Sequence, residues 1–341
     1  MALISRKKKP FPIGEGLRGY LKRHGRVKQL PIQFDDLSRY DDTVSLYNKR
    51  GEDTLWETAI YPPGLREEID YALVQTYADL KVQGRRRLMD HLVADRIDVC
   101  AWGNTAPMRV RILNKINENF DYFYVKRGDA SRVYGLELEH ILSPNRIDFL
   151  VDGDTVVEEH IAGIPGDEFI RSWLADEHLN EIRLAKEFVK FNERCFSRLL
   201  GDMHAGNYVV DITPDFDDTH YRIRAIDFDQ QSHEGRMRVY LPQYYRQNNP
   251  IVFLGMKCMT QETFAQYRQE ELTLIATRAL DEKSRLDALL DVMCADRLAP
   301  RDHVLSLRAE LAEHYGDHRF HHCESMGELV KASLELLPKV G

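Results

Sequence analysis

No stretch of this chain approaches the roughly 20 continuous apolar residues that a bilayer-spanning helix needs. The basic opening MALISRKKKPFP has no apolar segment behind it, so neither a membrane helix nor a secretory leader is expected. Cysteine is scarce: Cys100, Cys195, Cys258, Cys294 and Cys323 are odd in number and never stand at Cys-x-x-Cys spacing. That argues against a disulfide framework and points to reduced thiols in a cytoplasmic protein. His321, His322 and Cys323 lie together, but no second ligand pair stands at a zinc-like spacing, so a polar turn is expected there. Internal repeats and low-complexity tracts are also missing.

What remains is an ordinary globular composition. With 341 residues, 43% hydrophobic and 30% charged, the chain can bury a core large enough for two compact units, with room for a further one in front. The net charge of −8 is uneven: residues 1–29 hold nine Lys or Arg and one acid, a local +8 that leaves −16 for the rest. Such an arm is read as a solvated tail or as one docked on the acidic body. Nucleic acid or another anionic surface is the alternative partner.

Hydropathy periods divide the chain. Residues 65–95 repeat apolar positions every three or four residues, as a helix does, with a break at Gly84. From Arg96 the period becomes two: strands are expected at 96–100, 108–113, 120–126, 147–151 and 155–161, with a helix at 129–142 after the third. That order predicts a five-stranded antiparallel sheet with one helix laid against it. After Gly163-Ile-Pro-Gly166 the pattern is mainly helical, with a long amphipathic helix over 176–200, two short strands at 208–211 and 221–228, and helices over 258–337. The aromatic stretch 240–257 is read mostly as core, with Tyr244, Tyr245, Phe253 and Leu254 packed inside. The acidic turn Asp215–Asp218 is read as solvated.

Two segments carry chemistry: Leu200-Gly-Asp-Met-His-Ala-Gly-Asn207 and Ile226-Asp-Phe-Asp229. A hairpin of the two short strands brings both to one end, because paired strands lie about 4.8 Å apart. Asp202, Asn207 and Asp227 then converge. A carboxylate that orients or deprotonates a hydroxyl, beside two hard oxygen donors for magnesium, is the set that phosphoryl transfer requires.

The ordered set G-D-x-H-x-x-N followed by I-D-F-D resembles the catalytic core of aminoglycoside phosphotransferases and choline kinases, in the protein-kinase-like superfamily. The resemblance covers about residues 96–235 and implies an α+β, bilobal fold. In that fold a small antiparallel-sheet amino lobe with one helix precedes a mainly helical carboxyl lobe. On this reading residues 1–95 are a basic arm plus a helical extension, 96–162 the amino lobe and 163–341 the carboxyl lobe.

The resemblance further implies an ATP- and Mg2+-dependent enzyme in which Asp202 is catalytic and Asn207 and Asp227 bind metal, with Asp229 as the weaker alternative to Asp227. Lys126, ending an aromatic strand, would reach the nucleotide phosphates. A glutamate of the following helix would hold it, Glu137 in preference to Glu139 because it shares a face with Val133 and Ile141. Gly103, Asn104 and Thr105 would lie over the phosphates, and Glu159 and Ile161 would contact adenine through backbone groups.

Leu200 replaces the histidine that usually precedes Gly-Asp in these small-molecule kinases. No H-R-D or A-P-E-like segment is present, which disfavours an ordinary protein kinase. By analogy with the enzymes it resembles, a small-molecule hydroxyl is the expected acceptor. Action on a protein, nucleotidyl (AMP) transfer and a non-catalytic nucleotide-binding scaffold are the alternatives.

Overall fold

The computed structural model describes residues 8–48, 50–82, 90–100, 106–214 and 219–339. The chain divides into two compact units. One comprises Arg18–Asp129 and Ile147–His160; the other comprises Met1–Leu17, Ala130–Arg146 and Ile161–Gly341.

Ahead of the sheet the chain forms α1 (Glu15–Arg23) and the short α2 (Phe34–Leu37). The first unit is then built on seven antiparallel strands: β1 (Asp42–Tyr47), β2 (Asp53–Ile60), β3 (Leu92–Val99), β4 (Met108–Asn114), β5 (Phe120–Arg127), β6 (Phe149–Asp152) and β7 (Thr155–Glu159). Their order is β1-β2-β3-β4-β5-β7-β6. The five expected strands are all present as neighbours, but the sheet also takes in the hairpin β1–β2, which lies in the stretch read as an extension. Residues 92–95, read as the end of a helix, instead open β3. A one-residue bulge between Ala94 and Arg96 shifts the register there, and such an extra residue blurs the alternation by which a strand is recognised.

One face of this sheet is apolar: Ile97 and Val99 of β3, Met108, Val110 and Ile112 of β4, and Phe123 and Val125 of β5 are buried in one cluster. The helix laid on it is α3 (Pro63–Val82), through Ile69, Leu73 and Leu80, not the helix at 130–142 that the sequence pattern suggested. Ile69 and Leu73 are one turn apart, so they fall on one side of α3. Each fully buried Leu, Ile or Phe contributes roughly 1.5–3 kcal/mol.

The opposite face is charged and aromatic. Asp98 is wholly buried between Arg96 and Arg109, each 2.8 Å away, and accepts from Thr58 at 3.0 Å. The Arg109 guanidinium lies over Trp56 and Tyr122, 4.4 and 5.0 Å from their ring centres. The second half of the basic arm is tied to this unit: Arg26 to Asp148, Lys28 to Asp79, and Arg18 to the Gly153 carbonyl. This agrees with the arm docking on its own protein.

The second unit is mainly helical: α4 (Ala130–Leu142), α5 (Gly166–Ser172), α6 (Glu181–Ser197), α7 (Asn249–Cys258), α8 (Gln261–Asp281), α9 (Lys283–Ala295), α10 (Arg301–Tyr315) and α11 (Met326–Leu334). Its small antiparallel sheet has the order β10-β9-β8, with β8 (Ile164–Pro165), β9 (Tyr208–Pro214) and β10 (Thr219–Ala225). Helix α6 begins later than its apolar period, at Glu181, because the Asn180 side chain accepts from Arg183 N–H and caps it. Leu184, Phe188, Phe191 and Cys195 are buried as expected, whereas Ile182 in the first turn is exposed. Of the aromatic stretch 240–257, Tyr245 is buried, but Tyr244 and Phe253 face solvent. Among the described residues no helix is long and apolar enough to cross a membrane.

Candidate functional site

The hairpin β9–β10 does what its sequence promised. Tyr208 pairs with Ala225 at its open end, so Asn207 and Ile226 are adjacent and the Ile226 N–H donates to the Asn207 carbonyl at 3.0 Å. Asp202 and Asp227 therefore enter one region from the two sides of one hairpin.

The loop before β9 is shaped by backbone bonds. Asp202 has φ 62, in the left-handed region that costs a residue with a Cβ about 1 kcal/mol or more. Its neighbours hold it there. The Asp202 N–H donates to the Val239 carbonyl at 3.2 Å, and the Asp202 carbonyl accepts from His204 N–H and from Asn207 Nδ2, both at 2.8 Å. The Asn207 amide nitrogen is thus used to fix the loop. His204 accepts the Gly206 N–H on Nδ1 and caps the short 3-10 turn Ala205–Asn207, and burial lowers its pKa.

The site's electrostatics are lopsided. Burial, then the nearby charges of Asp227, Glu234 and Asp229, push the Asp202 carboxyl up to about 7. Like charges crowded in a part-buried place disfavour ionisation. Arg132 of α4, only 2% exposed, answers them at close range, bonding Asp227 Oδ1 at 2.7 Å and Asp229 Oδ1 at 2.8 Å. Lys8 adds a bond to the Asp229 carbonyl.

Sequence reasoning missed Arg132. An arginine inside a helical stretch ordinarily reads as solvated. The one local signal is Gly135, a turn later: a Cβ there would meet the Phe228 Cβ at 2.9 Å, so the glycine lets α4 lie against the 227–229 segment.

Other expected residues fall differently. Lys126 lies on β5 with its ammonium 2.8 Å from Glu158 on the adjacent β7. Glu158, not Glu137, is its ion-pair partner. Glu137 is wholly buried and bonds Arg285 of α9, and Glu139 pairs with Arg198. The facing that selected Glu137 was right about burial but not about what it meets, because α4 belongs to the helical unit. Glu159 ends β7; its N–H donates to the Asp148 carbonyl and its carboxylate bonds Lys81, so that N–H is taken up by the sheet. Ile161 is buried. Gly103, Asn104 and Thr105, and the turn Asp215–Asp218, lie outside the described residues.

Among the described residues no three His, Cys, Asp or Glu are grouped to hold a metal ion, the His321–Cys323 stretch included. The donors beside Asp202, the Asp227 carboxylate and the Asn207 amide oxygen, are hard oxygens. They suit magnesium, which is commonly held by one or two carboxylates and completed by substrate phosphates and water. A separate apolar cavity of about 250 Å³ lies between α6, α7 and α8, lined by Phe188, Val189, Ile251, Met256 and Phe264; it includes none of the acids above. No protein-family model matches the chain, and no curated protein is similar to it in sequence.

Proposed function

We propose that this protein is an ATP- and Mg2+-dependent phosphotransferase that moves a γ-phosphoryl group to a hydroxyl acceptor, read as a small molecule. The observation that carries the proposal is the state of Asp202. Its backbone is held in a strained conformation, and its carboxyl is raised to about 7 among other acids. A general base works best with a pKa near the working pH, and such tuning is concentrated at catalytic sites. We further propose that the fold is protein-kinase-like. In support, a lysine-bearing strand, a helix and two more strands precede a helical region carrying Asp202, Asn207 and Asp227 in the expected order.

Asp202 would orient the acceptor hydroxyl and take its proton. Asn207, anchored through Nδ2, would present its oxygen, and Asp227 its carboxylate, to Mg2+. When bound, that ion supplies charge neutralisation for the transferring phosphoryl group.

The test is to incubate purified protein with Mg-ATP and separate the nucleotide products, using Asp202→Ala and Asp227→Ala as controls. ADP made by the wild type, with the phosphoryl group passing to water or to the protein itself in the absence of acceptor, and lost in both variants is expected. AMP or pyrophosphate instead would replace the proposal with nucleotidyl transfer, and absence of Mg-ATP binding would replace it with a scaffold.

A further inference from the structure

We infer that Arg132 is a built-in cation that shares Asp227 with the divalent ion and thereby sets the metal affinity of this site. The inference rests on the proposed role of Asp227 as a metal ligand.

The guanidinium is sealed in, while the Asp227 side chain it bonds is one-third exposed. Asp227 Oδ1 also accepts the Asp229 N–H at 3.3 Å, so this oxygen is engaged by protein donors. Arg132 has a second anchor on Asp229. It also rides on a helix whose Gly135 allows no added atom against Phe228 without displacement. The arginine is therefore placed by packing as well as by charge.

Two consequences follow. Without metal, the guanidinium, bonded to both Asp227 and Asp229, offsets the repulsion between those two carboxylates. With metal, a divalent ion on Asp227 meets a fixed positive charge a few ångströms away, which weakens its binding. Arg132 is thus a positioning residue: it holds the ligand and tempers what the ligand holds. The same arrangement makes divalent binding depend on α4, since a shift of that helix would move the guanidinium away from both acids.

The experiment is a Mn2+ titration of the full chain without nucleotide, read by electron paramagnetic resonance, with thermal unfolding measured in EDTA and in Mn2+. Arg132→Gln and Arg132→Met are expected to tighten Mn2+ at least tenfold, and Arg132→Lys to stay within threefold of wild type. Arg132→Gln should also melt lower than wild type in EDTA and recover in Mn2+. Unchanged or weaker Mn2+ binding in the Gln and Met variants, or an equal melting loss in both buffers, would overturn the inference by leaving Arg132 a purely structural role.

Asp227→Asn separates the two readings. If it abolishes Mn2+ binding while Arg132→Gln binds like wild type, only the role of Arg132 falls. If it leaves binding unaltered, the metal role of Asp227 falls as well. The amide of Arg132→Gln preserves a hydrogen bond to the acids, so the test survives if the Met variant does not fold.

Discussion

The charged face of the seven-stranded sheet and the loop around Asp202 treat acidic groups in opposite ways. On the sheet, wholly buried Asp98 has two arginines at 2.8 Å, and Glu158 has Lys126 at the same distance. In the loop, Asp202 lies near the charges of Asp227, Glu234 and Asp229, and Arg132 bonds two of those acids. Balanced charge of the first kind is what a fold does when it must bury ions. Unbalanced charge costs stability. In the proposed function it persists because a cation or a proton is exchanged there, which favours the loop over the more conspicuous sheet face.

The largest expected effect tests that assignment directly. Asp202→Asn, which tolerates left-handed backbone but cannot accept a proton, should lower the rate of ADP formation roughly 100- to 10,000-fold. Steady-state assays at saturating Mg-ATP, with circular dichroism showing an unchanged fold, are the measurement. Next, Asp98→Ala should cost about 3–5 kcal/mol by urea denaturation, since it strands two arginines, and should not act through catalysis.

A smaller effect is pH dependence. The Asp202 carboxyl is raised from 3.8 to about 7, so between those values the folded chain binds more protons than the unfolded one. The stability owed to this group therefore falls as pH rises from about 4 to about 7, while activity rises across an inflection near 7. Urea midpoints and kcat/KM profiles should move in these opposite directions, and Asp227→Asn should lower the inflection seen in urea midpoints by removing the largest charge contribution to the shift. The smallest effect belongs to Lys28→Ala. It breaks a partly exposed pair with Asp79 and should cost no more than about 1 kcal/mol in the same urea experiment.

The parts of the molecule that were legible in the sequence are those with a local signature. Strand β4 alternates cleanly, β5 is rich in aromatic and β-branched residues, and the register of β9 with β10 follows from two short apolar runs, so Asn207 and Asp227 fall at the open end of one hairpin. The misreadings come from partners far away in sequence. Nothing near Glu137 announces Arg285, and nothing near Lys126 distinguishes Glu158 on a paired strand from a glutamate on the next helix. Residues 92–95 read as helix because a bulge disturbs their alternation. Asp202 was found from its motif, but its left-handed backbone was not, since that conformation is imposed by Val239, His204 and Asn207 and not by the residue itself.

The assignment of α4 bears on how this chain is made. Every segment of the sheet unit has been synthesised once His160 is translated, whereas Ala130–Arg146 and the first 17 residues belong to a unit that ends at Gly341. During translation the seven strands can pair early, while α4, with Glu137 and Glu139 designed for burial, must wait more than a hundred residues for Arg285 on α9. A chain ending soon after residue 160 would thus hold every strand of the seven-stranded sheet but a helix α4 without its α9 partner.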